Sequence, residues 1–229
     1  DKQYNPAILH YRNQYRKFGF QCVILVVFDR ESQIEAVAQG IPSLLLPIQK
    51  DYHPILIVGL AKALIGYGIL VNGYNMLFSE MDVFWAHSPL KYINTSFDHS
   101  FSIHRYDPEK EINIGIYYSK SCNATIIMYE KISIWMIGHP TYPLDPDCLG
   151  ACDQKLFDYY LRGVADWIPS DRFQYVAQSW TRLPSTLFWH NMDDDYNVPH
   201  ILDKAVTVHI GFGINTPQDR MKIAKQLGL

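Results

Sequence analysis

The sequence predicts an α/β protein with a mostly parallel central sheet flanked by helices. Short apolar runs alternate with segments of helical spacing, which is typical of strands joined by crossover helices. Hydrophobic residues make up 48% of the 229 residues and charged residues 19%, enough apolar material for a sizeable core. A chain of this length usually closes around one core, so we predict a single domain over residues 1–229.

The first third of the chain carries the clearest alternation. We predict helices over residues 11–18, 31–39 and 53–68. We predict strands over residues 22–28, 41–46, 69–71 and 76–79. The turn residues Asn72 and Gly73 separate the last two of these strands.

Further along the chain, the patterns are spaced more widely. Residues 112–118 and 205–210 are predicted strands, and residues 124–135 and 153–161 are predicted helices. Between them, residues 138–152 are rich in proline, glycine and aspartate and predict a long loop. Loops of about 15 residues are uncommon in compact domains without a functional reason.

Charge and hydropathy exclude several classes of protein. The formal net charge is -3 and no long basic run occurs, so nucleic acid is not an expected partner. No stretch reaches the roughly 20 apolar residues of a membrane helix, and the opening residues lack signal-peptide character. We therefore expect membrane attachment only through an anchor outside this chain.

Two triplets of the N-x-S/T type occur, at Asn94 and at Asn123. They fit a protein that is itself glycosylated in the lumen of the Golgi or the endoplasmic reticulum, or that is secreted. The four cysteines do not form paired CxxC knuckles, so a structural zinc site is not expected.

The strongest local signal for chemistry is Glu80-Met81-Asp82, which directly follows the predicted strand 76–79. Open α/β sheets bind ligands beyond the carboxyl ends of their strands. Carboxylates at i and i+2 point to the same side and suit one Mg²⁺ or Mn²⁺ ion held against a diphosphate. His209, at the end of another predicted strand, favours manganese if it joins them.

Several segments, taken in order, carry a resemblance. The run Met76 to Trp85 with Pro89-Leu90 resembles the acidic core motif of nucleotide-diphospho-sugar transferases. The Asn113 to Tyr118 strand and the Asp153-Gln154 helix start are similar to later motifs of that family. The closing Val208-His209 segment resembles the plant arabinosyltransferase branch, glycosyltransferase family 77.

The resemblance implies a GT-A fold and a retaining, metal-dependent transfer from a nucleotide sugar, with UDP as the expected nucleotide. The implied acceptor is a protein or a glycan, and the implied sugars are arabinose, galactose and xylose. It also implies that the chain starts after the first strand of the family.

Site residues carry over from the resemblance position by position. The expected metal ligands are Asp82, His209 and Glu80. Asp153 is the expected sugar-side carboxylate, with Gln154 orienting hydroxyl groups, while an N-cap role for Asp153 is the alternative. The other expected donor contacts are Lys62, Asn113 and Arg220, together with Glu80 and Asp82.

Among the departures from the family pattern, two leave alternatives open. Glu80 stands where aspartate is usual, and Asp219 stands where a phosphate-side lysine falls, with Arg220 beside it. A sugar-binding or scaffold protein on a decayed transferase fold is therefore the second hypothesis. A metal-dependent phosphate-ester hydrolase using Asp82 and the aspartates 193–195 is the third.

Overall fold

The computed structural model describes residues 5–47, 54–103, 112–139, 152–162, 178–185, 187–191, 204–211 and 216–229. Within these residues the chain forms six α-helices, a 3₁₀ helix at Pro89–Tyr92 and nine strands. The helices are α1 (Asn5–Lys17), α2 (Arg30–Ala38), α3 (Pro54–Val71), α4 (Asn123–Gly138), α5 (Cys152–Arg162) and α6 (Pro217–Gln226). The strands are β1 (Leu25–Val27), β2 (Ser43–Leu45), β3 (Met76–Ser79), β4 (Val83–Trp85), β5 (His99–Ile103), β6 (Ile112–Ser119), β7 (Trp180–Arg182), β8 (Phe188–Asn191) and β9 (Thr207–Ile210). The predicted α/β class is confirmed.

The described strands pair into three sheets of mixed direction. Strands β1 and β2 pair in parallel. A four-stranded sheet has the order β3-β6-β5-β7, in which β6 runs antiparallel to both β3 and β5 while β7 is parallel to β5. In the three-stranded sheet, β9 lies between β4, which is antiparallel to it, and β8, which is parallel.

The expectation of a mostly parallel sheet is therefore wrong for the centre of the fold. Only residues 104–111 connect β5 to β6. A parallel crossover takes about a dozen residues or more, so a connection of this length favours the antiparallel neighbour.

The predicted strand 69–71 is also wrong, because these residues form the last turn of α3. The helix ends at the turn pair that we expected between two strands. Gly73 has φ 81° and donates its N–H to Leu70 O at 3.0 Å, while the Asn72 side chain donates to Gly68 O at 2.8 Å. A glycine in the left-handed region is a common helix terminator.

A large hydrophobic core lies between the four-stranded sheet and helices α3, α4 and α5. Tyr117 stacks between Phe78 and Phe101, with ring centroids 5.0 Å away on each side. Helix α3 approaches α4 closely at Gly66, where an added Cβ would lie 2.2 Å from Cε1 of Tyr129. This contact fixes α3 against the rest of the core.

A second cluster joins α1, α6, β4 and β9 through Ala7, Phe84, Val208 and Met221. Residues 80–82 connect β3 of the first sheet to β4 of this second unit. The acidic pair therefore lies where the two packing units meet. Among the described helices, none has both the length and the apolar character that crossing a bilayer requires.

Candidate metal and donor site

The backbone of the Glu80–Asp82 segment is held from both sides. The N–H of Glu80 donates to Gly115 O at 2.7 Å, which extends the pairing of β3 with β6. On the other side, the N–H of Ile210 donates to Asp82 O at 2.9 Å, which extends the pairing of β4 with β9. Each carboxylate is thus positioned by a different sheet.

His209 lies between the two carboxylates. It is opposite Val83 in the antiparallel register of β4 and β9, and it is 8% exposed. Its Nε2 atom lies 3.3 Å from Asp82 Oδ1 and 3.5 Å from Glu80 Oε2. One ligand atom from each of Glu80, Asp82 and His209 lies within 4.8 Å of the others, a spacing that could hold a metal ion.

Asn113 fixes the orientation of the His209 ring. Its Oδ1 atom lies 3.2 Å from His209 Nδ1 and also accepts the N–H of Gly115 at 2.9 Å. Because the Gly115 N–H is a donor, this oxygen is the acceptor and Nδ1 carries the proton. The neutral ring therefore presents its Nε2 lone pair to the two carboxylates, the tautomer that a metal ligand needs.

A β-bulge in β6 creates the space for this ring. Phe101 pairs with Tyr117, but the next residue, Ser102, pairs with Asn113. The Ser102 hydroxyl donates across the bulge to Asn113 O at 2.8 Å, and Ile116 O lies 3.0 Å from the same hydroxyl. An added Cβ at Gly115 would lie 2.4 Å from His209 Nδ1, so a side chain there would displace the imidazole.

Lys62 bridges two acidic side chains, Glu80 and Asp153. Its Nζ lies 2.5 Å from Glu80 Oε1 and 2.7 Å from Asp153 Oδ2, and 7% of its side chain is exposed. Burial alone would lower the pKa of Lys62, but the carboxylates of Asp153 and Glu80 more than offset this and raise it above its ordinary value. The ammonium group therefore stays charged and holds both carboxylates.

Asp153 can approach Lys62 because Gly59 of α3 has no side chain to occupy the space between the helices. An added Cβ at Gly59 would lie 2.7 Å from the Cβ of Asp153. Asp153 is the second residue of α5, and its carboxylate is directed to Lys62. The N-cap alternative therefore does not describe its position. Gln154 accepts the N–H of Ile114 at 3.4 Å, which places its amide against β6.

Arg220 of α6 forms an ion pair with Asp82 through Nη1 and Oδ2. Its neighbour Asp219 faces away, because the N–H of Asp219 donates to Thr216 Oγ1 and the Thr216 hydroxyl donates to the Asp219 carboxylate at 2.6 Å. Thr216 thus caps the helix and Asp219 is bonded back to this cap, so the cation near the site comes from the next position, Arg220.

The charges of the described cluster do not balance while His209 is neutral. Three carboxylates, Glu80, Asp82 and Asp153, face two permanent cations, Lys62 and Arg220. Burial alone would lower the pKa of His209, whereas Asp82 and Glu80 raise it above its usual value. Either a proton on His209 or a bound cation can neutralise the cluster.

The electrostatics and the ligand chemistry both suit a divalent ion. Burial alone would raise the pKa of Asp82, but His209 and Arg220 hold it below its usual range, so Asp82 stays ionised. Within the described residues, Asp82 Oδ1 is buried and receives no hydrogen bond of good geometry. Two carboxylate oxygens and one imidazole nitrogen form a donor set that fits manganese or magnesium.

The structure thus joins seven of the residues that the sequence singled out for this site through direct contacts, and it places the eighth, Gln154, against Ile114: the seven are Lys62, Glu80, Asp82, Asn113, Asp153, His209 and Arg220. Gly115 and Gly59 were missed, although a glycine inside a buried strand is a signal for a bulge or a close approach. Of the acidic run considered for a hydrolase, residues 193–195 lie outside the described residues.

Comparison with known proteins supports a relationship to sugar-transferring enzymes. The sequence profile of the family described as nucleotide-diphospho-sugar transferase matches residues 47–223, more than half of the chain. This range includes Lys62, Asp153, His209 and Arg220. The acidic segment at 80–82 lies within it as well.

The proteins similar to the chain include one from a plant and one from a virus. An uncharacterised protein of Arabidopsis thaliana is 39% identical over 64 residues, a match that covers 28% of this chain and 20% of the relative. The crystal structure of a glycosyltransferase involved in the glycosylation of the major capsid of PBCV-1 superposes with a TM-score of 0.52 at 12% identity. That superposition covers 91% of this chain and 99% of the viral one, and it supports a GT-A-like fold.

Proposed function

This chain belongs to the nucleotide-diphospho-sugar transferase family, and from that premise we propose that it transfers a sugar from a UDP-linked donor to an acceptor hydroxyl with the help of Mn²⁺ or Mg²⁺. The observation that supports metal dependence is the cluster of Glu80, Asp82 and His209, whose ligand atoms lie within 4.8 Å of one another. Glycosyl transfer is what the family and the fold support. The metal, the nucleotide and the stereochemistry are our proposals.

Asp82 and His209 are the proposed principal metal ligands, with Glu80 as a third. The ion, when bound, acts as a Lewis acid that neutralises the charge developing on the departing diphosphate. The protein contributes the orientation of the ligands. Asn113 holds His209 through Nδ1, so Asn113 acts on the donor through this ring rather than by direct contact.

Arg220 is the proposed phosphate-side cation. Its guanidinium already lies against Asp82, next to the place where the ion would sit. A planar guanidinium can form two parallel hydrogen bonds to phosphate oxygens. The family pattern has a lysine where this chain has Asp219. Arg220, the next residue, thereby supplies the positive charge instead.

Asp153 and Gln154 form the proposed sugar side of the site. We propose that Lys62 acts on the donor through its two carboxylates, because its ammonium group is buried between Glu80 and Asp153. Retention of configuration is compatible with two routes. Asp153 could displace the nucleoside diphosphate from C1 of the sugar and then be displaced by the acceptor oxygen, or the acceptor could attack C1 on the face that the diphosphate leaves and pass its proton to that diphosphate.

The second candidate is a sugar-binding or scaffold protein on the same fold. The observation that favours it is that Lys62 and Arg220 already neutralise Glu80 and Asp82 in part without a metal. For both candidate functions we propose that the chain lies in the lumen of the secretory pathway, because it carries sequons at Asn94 and Asn123. Membership of glycosyltransferase family 77 and a protein or glycan acceptor belong to the same proposal.

Calorimetric titration of UDP in the presence of Mn²⁺ tests the proposal. We expect binding by the native chain, loss of binding in Asp82→Ala and His209→Ala, and no change in Glu130→Ala. Glu130 is a matched control because it is an exposed carboxylate on α4. Absence of metal-dependent UDP binding in the folded native chain would favour the scaffold candidate.

A further inference from the structure

A tight turn follows the 3₁₀ helix at Pro89–Tyr92 and contains the first sequon, Asn94-Thr95-Ser96. All three residues are exposed. The N–H of Phe97 donates to Asn94 O at 3.2 Å and closes the turn. The N–H of Ser96 donates to Asn94 Oδ1 at 3.0 Å, so the side-chain oxygen is engaged by the turn while the amide nitrogen Nδ2 stays outside this bond.

This turn lies at the end of the sheet remote from the candidate site. Lys120, the residue after β6, donates its N–H to Asp98 O at 2.8 Å and its ammonium group to Thr95 O at 3.4 Å. Ser119, the last residue of β6, pairs with Met76 at the start of β3. Glu80 follows Ser79 at the opposite end of β3. The length of β3, roughly 13 Å at about 3.3 Å per residue, therefore separates the turn from the acidic pair.

The second sequon differs because folding closes it. Asn123 is exposed at the start of α4, but Thr125 is fully buried. The Thr125 hydroxyl donates to Lys120 O at 2.6 Å and accepts the N–H of Cys122 at 3.1 Å. The hydroxyl that the sequon needs is thus used to cap the helix.

We propose that Asn94, rather than Asn123, is the principal attachment site for an N-linked oligosaccharide on this protein. Nδ2 of Asn94 forms a bond to C1 of the first sugar of a lipid-linked oligosaccharide diphosphate. The bond from C1 to the phosphate oxygen breaks, the lipid diphosphate leaves, and one amide proton passes to a base of the modifying enzyme. The proposal rests on the lumenal location given above and not on sugar transfer by this chain.

A glycan at this position agrees with the remote location of the turn. A glycan at Asn94 would not obstruct the other end of the sheet, where Glu80, Asp82 and His209 lie. Removing the glycan is therefore expected to leave binding of UDP with Mn²⁺ unchanged within a factor of two.

The test is secretion of the chain behind a cleavable signal from a eukaryotic cell, beside a reporter glycoprotein. Peptide-N-glycosidase in heavy-oxygen water converts each glycosylated asparagine to labelled aspartate, which peptide mass spectrometry locates. We expect the main label at Asn94, its loss in Asn94→Gln and in Ser96→Ala, and its retention in Asn123→Gln. An unlabelled Asn94 beside a glycosylated reporter, or a label at Asn123 as high as at Asn94, would overturn the proposal.

The glycan site and the transferase activity can be contradicted independently of each other. UDP titration of the same secreted protein reports on the donor site, and peptide mapping reports on Asn94. A labelled Asn94 in a chain that does not bind UDP contradicts the transferase and supports the glycan site.

Discussion

Lys62 and Asp153 are 91 residues apart in the chain, yet the Lys62 ammonium lies 2.7 Å from the Asp153 carboxylate in a buried contact. The same ammonium holds Glu80, so one lysine of α3 sets the distance between the end of β3 and the start of α5. The expected sugar-side group and the expected metal-side group are thus linked through a single buried cation.

Replacing this cation is expected to destabilise the protein strongly. Lys62→Met leaves two carboxylates without their shared partner, and breaking a buried ion pair in this way costs about 3–5 kcal/mol. Urea denaturation measures the loss. Lys222→Met removes an exposed lysine of α6 and serves as the control, for which we expect a change within about 0.5 kcal/mol. Equal stability of the two variants would contradict the bridging role.

Gly115→Ala is expected to weaken binding of UDP with Mn²⁺ by about 10–100-fold, the usual effect of disturbing the support of a metal ligand. The added methyl group would lie 2.4 Å from His209 Nδ1 and would push the ring away from Asp82. Gly68→Ala, where an added Cβ has no neighbour within 4 Å, is the matched control. Calorimetry of both variants decides whether the bulge positions His209.

Binding of Mn²⁺ is expected to strengthen as the pH rises through the pKa of His209. The carboxylates of Asp82 and Glu80 outweigh burial and raise this pKa, so at pH values below it the metal must displace a proton. Titration in buffers of different ionisation enthalpy measures the released proton, and Glu130→Ala should release as much as the native chain. Without metal the sign is opposite: the stabilisation from charged His209 is fully present below pH 6.5 and is lost as the pH rises through the raised pKa.

Acid is expected to destabilise the fold through His99. This ring is fully buried between Ser119 and Gln178, and burial lowers its pKa to about 4. The unfolded chain takes up the proton near pH 6.5, so stability falls as the pH drops from there toward 4. Between pH 7 and pH 5 the loss is about 2 kcal/mol. Urea denaturation at both pH values should show this loss in the native chain and a smaller one in His99→Asn.

Substitutions at Arg220 and at Asp219 are expected to differ in their effect on UDP binding, because Arg220 lies at Asp82 whereas Asp219 is bonded to the helix cap Thr216. Arg220→Ala should weaken UDP binding about 10–100-fold at saturating Mn²⁺, because a charge-assisted hydrogen bond contributes about 1.5–3 kcal/mol. Asp219→Ala should leave UDP affinity within a factor of two, since Asp219 faces Thr216. The opposite ranking in calorimetry would assign the phosphate contact to the position that the family pattern uses.

The sequence was sufficient for the elements that have a strong local pattern. Helices α3 and α4 and strands β3 and β6 are apolar or clearly periodic, so their types were predicted correctly. Strand β5 was missed because its five buried residues, His99 to Ile103, include one histidine and two serines and contain no apolar run. The polar groups of His99 and Ser102 are bonded by partners outside the strand, such as Gln178, 79 residues away, for His99, which no local pattern reveals.

The family resemblance predicted which residues form the site, but it did not predict the contacts between them. Sequence order placed Lys62 with the donor, whereas the structure places it between Glu80 and Asp153. The use of Gly59 and Gly115 as gaps for Asp153 and His209 depends on how α3 meets α5 and on how β6 meets β9. These are tertiary contacts between segments far apart in the chain, and they could not be read from spacing.

The division of the acidic pair between two packing units has a consequence for how heat inactivates the protein. Glu80 is tied to β6 and Lys62, while Asp82 is tied to β9 and Arg220. A small separation of the two units would spread the ligand atoms and open the contact of Ile116 with Val83, while the larger cluster of each unit stayed packed. We therefore expect metal-dependent nucleotide binding to be lost on heating before the helical signal melts.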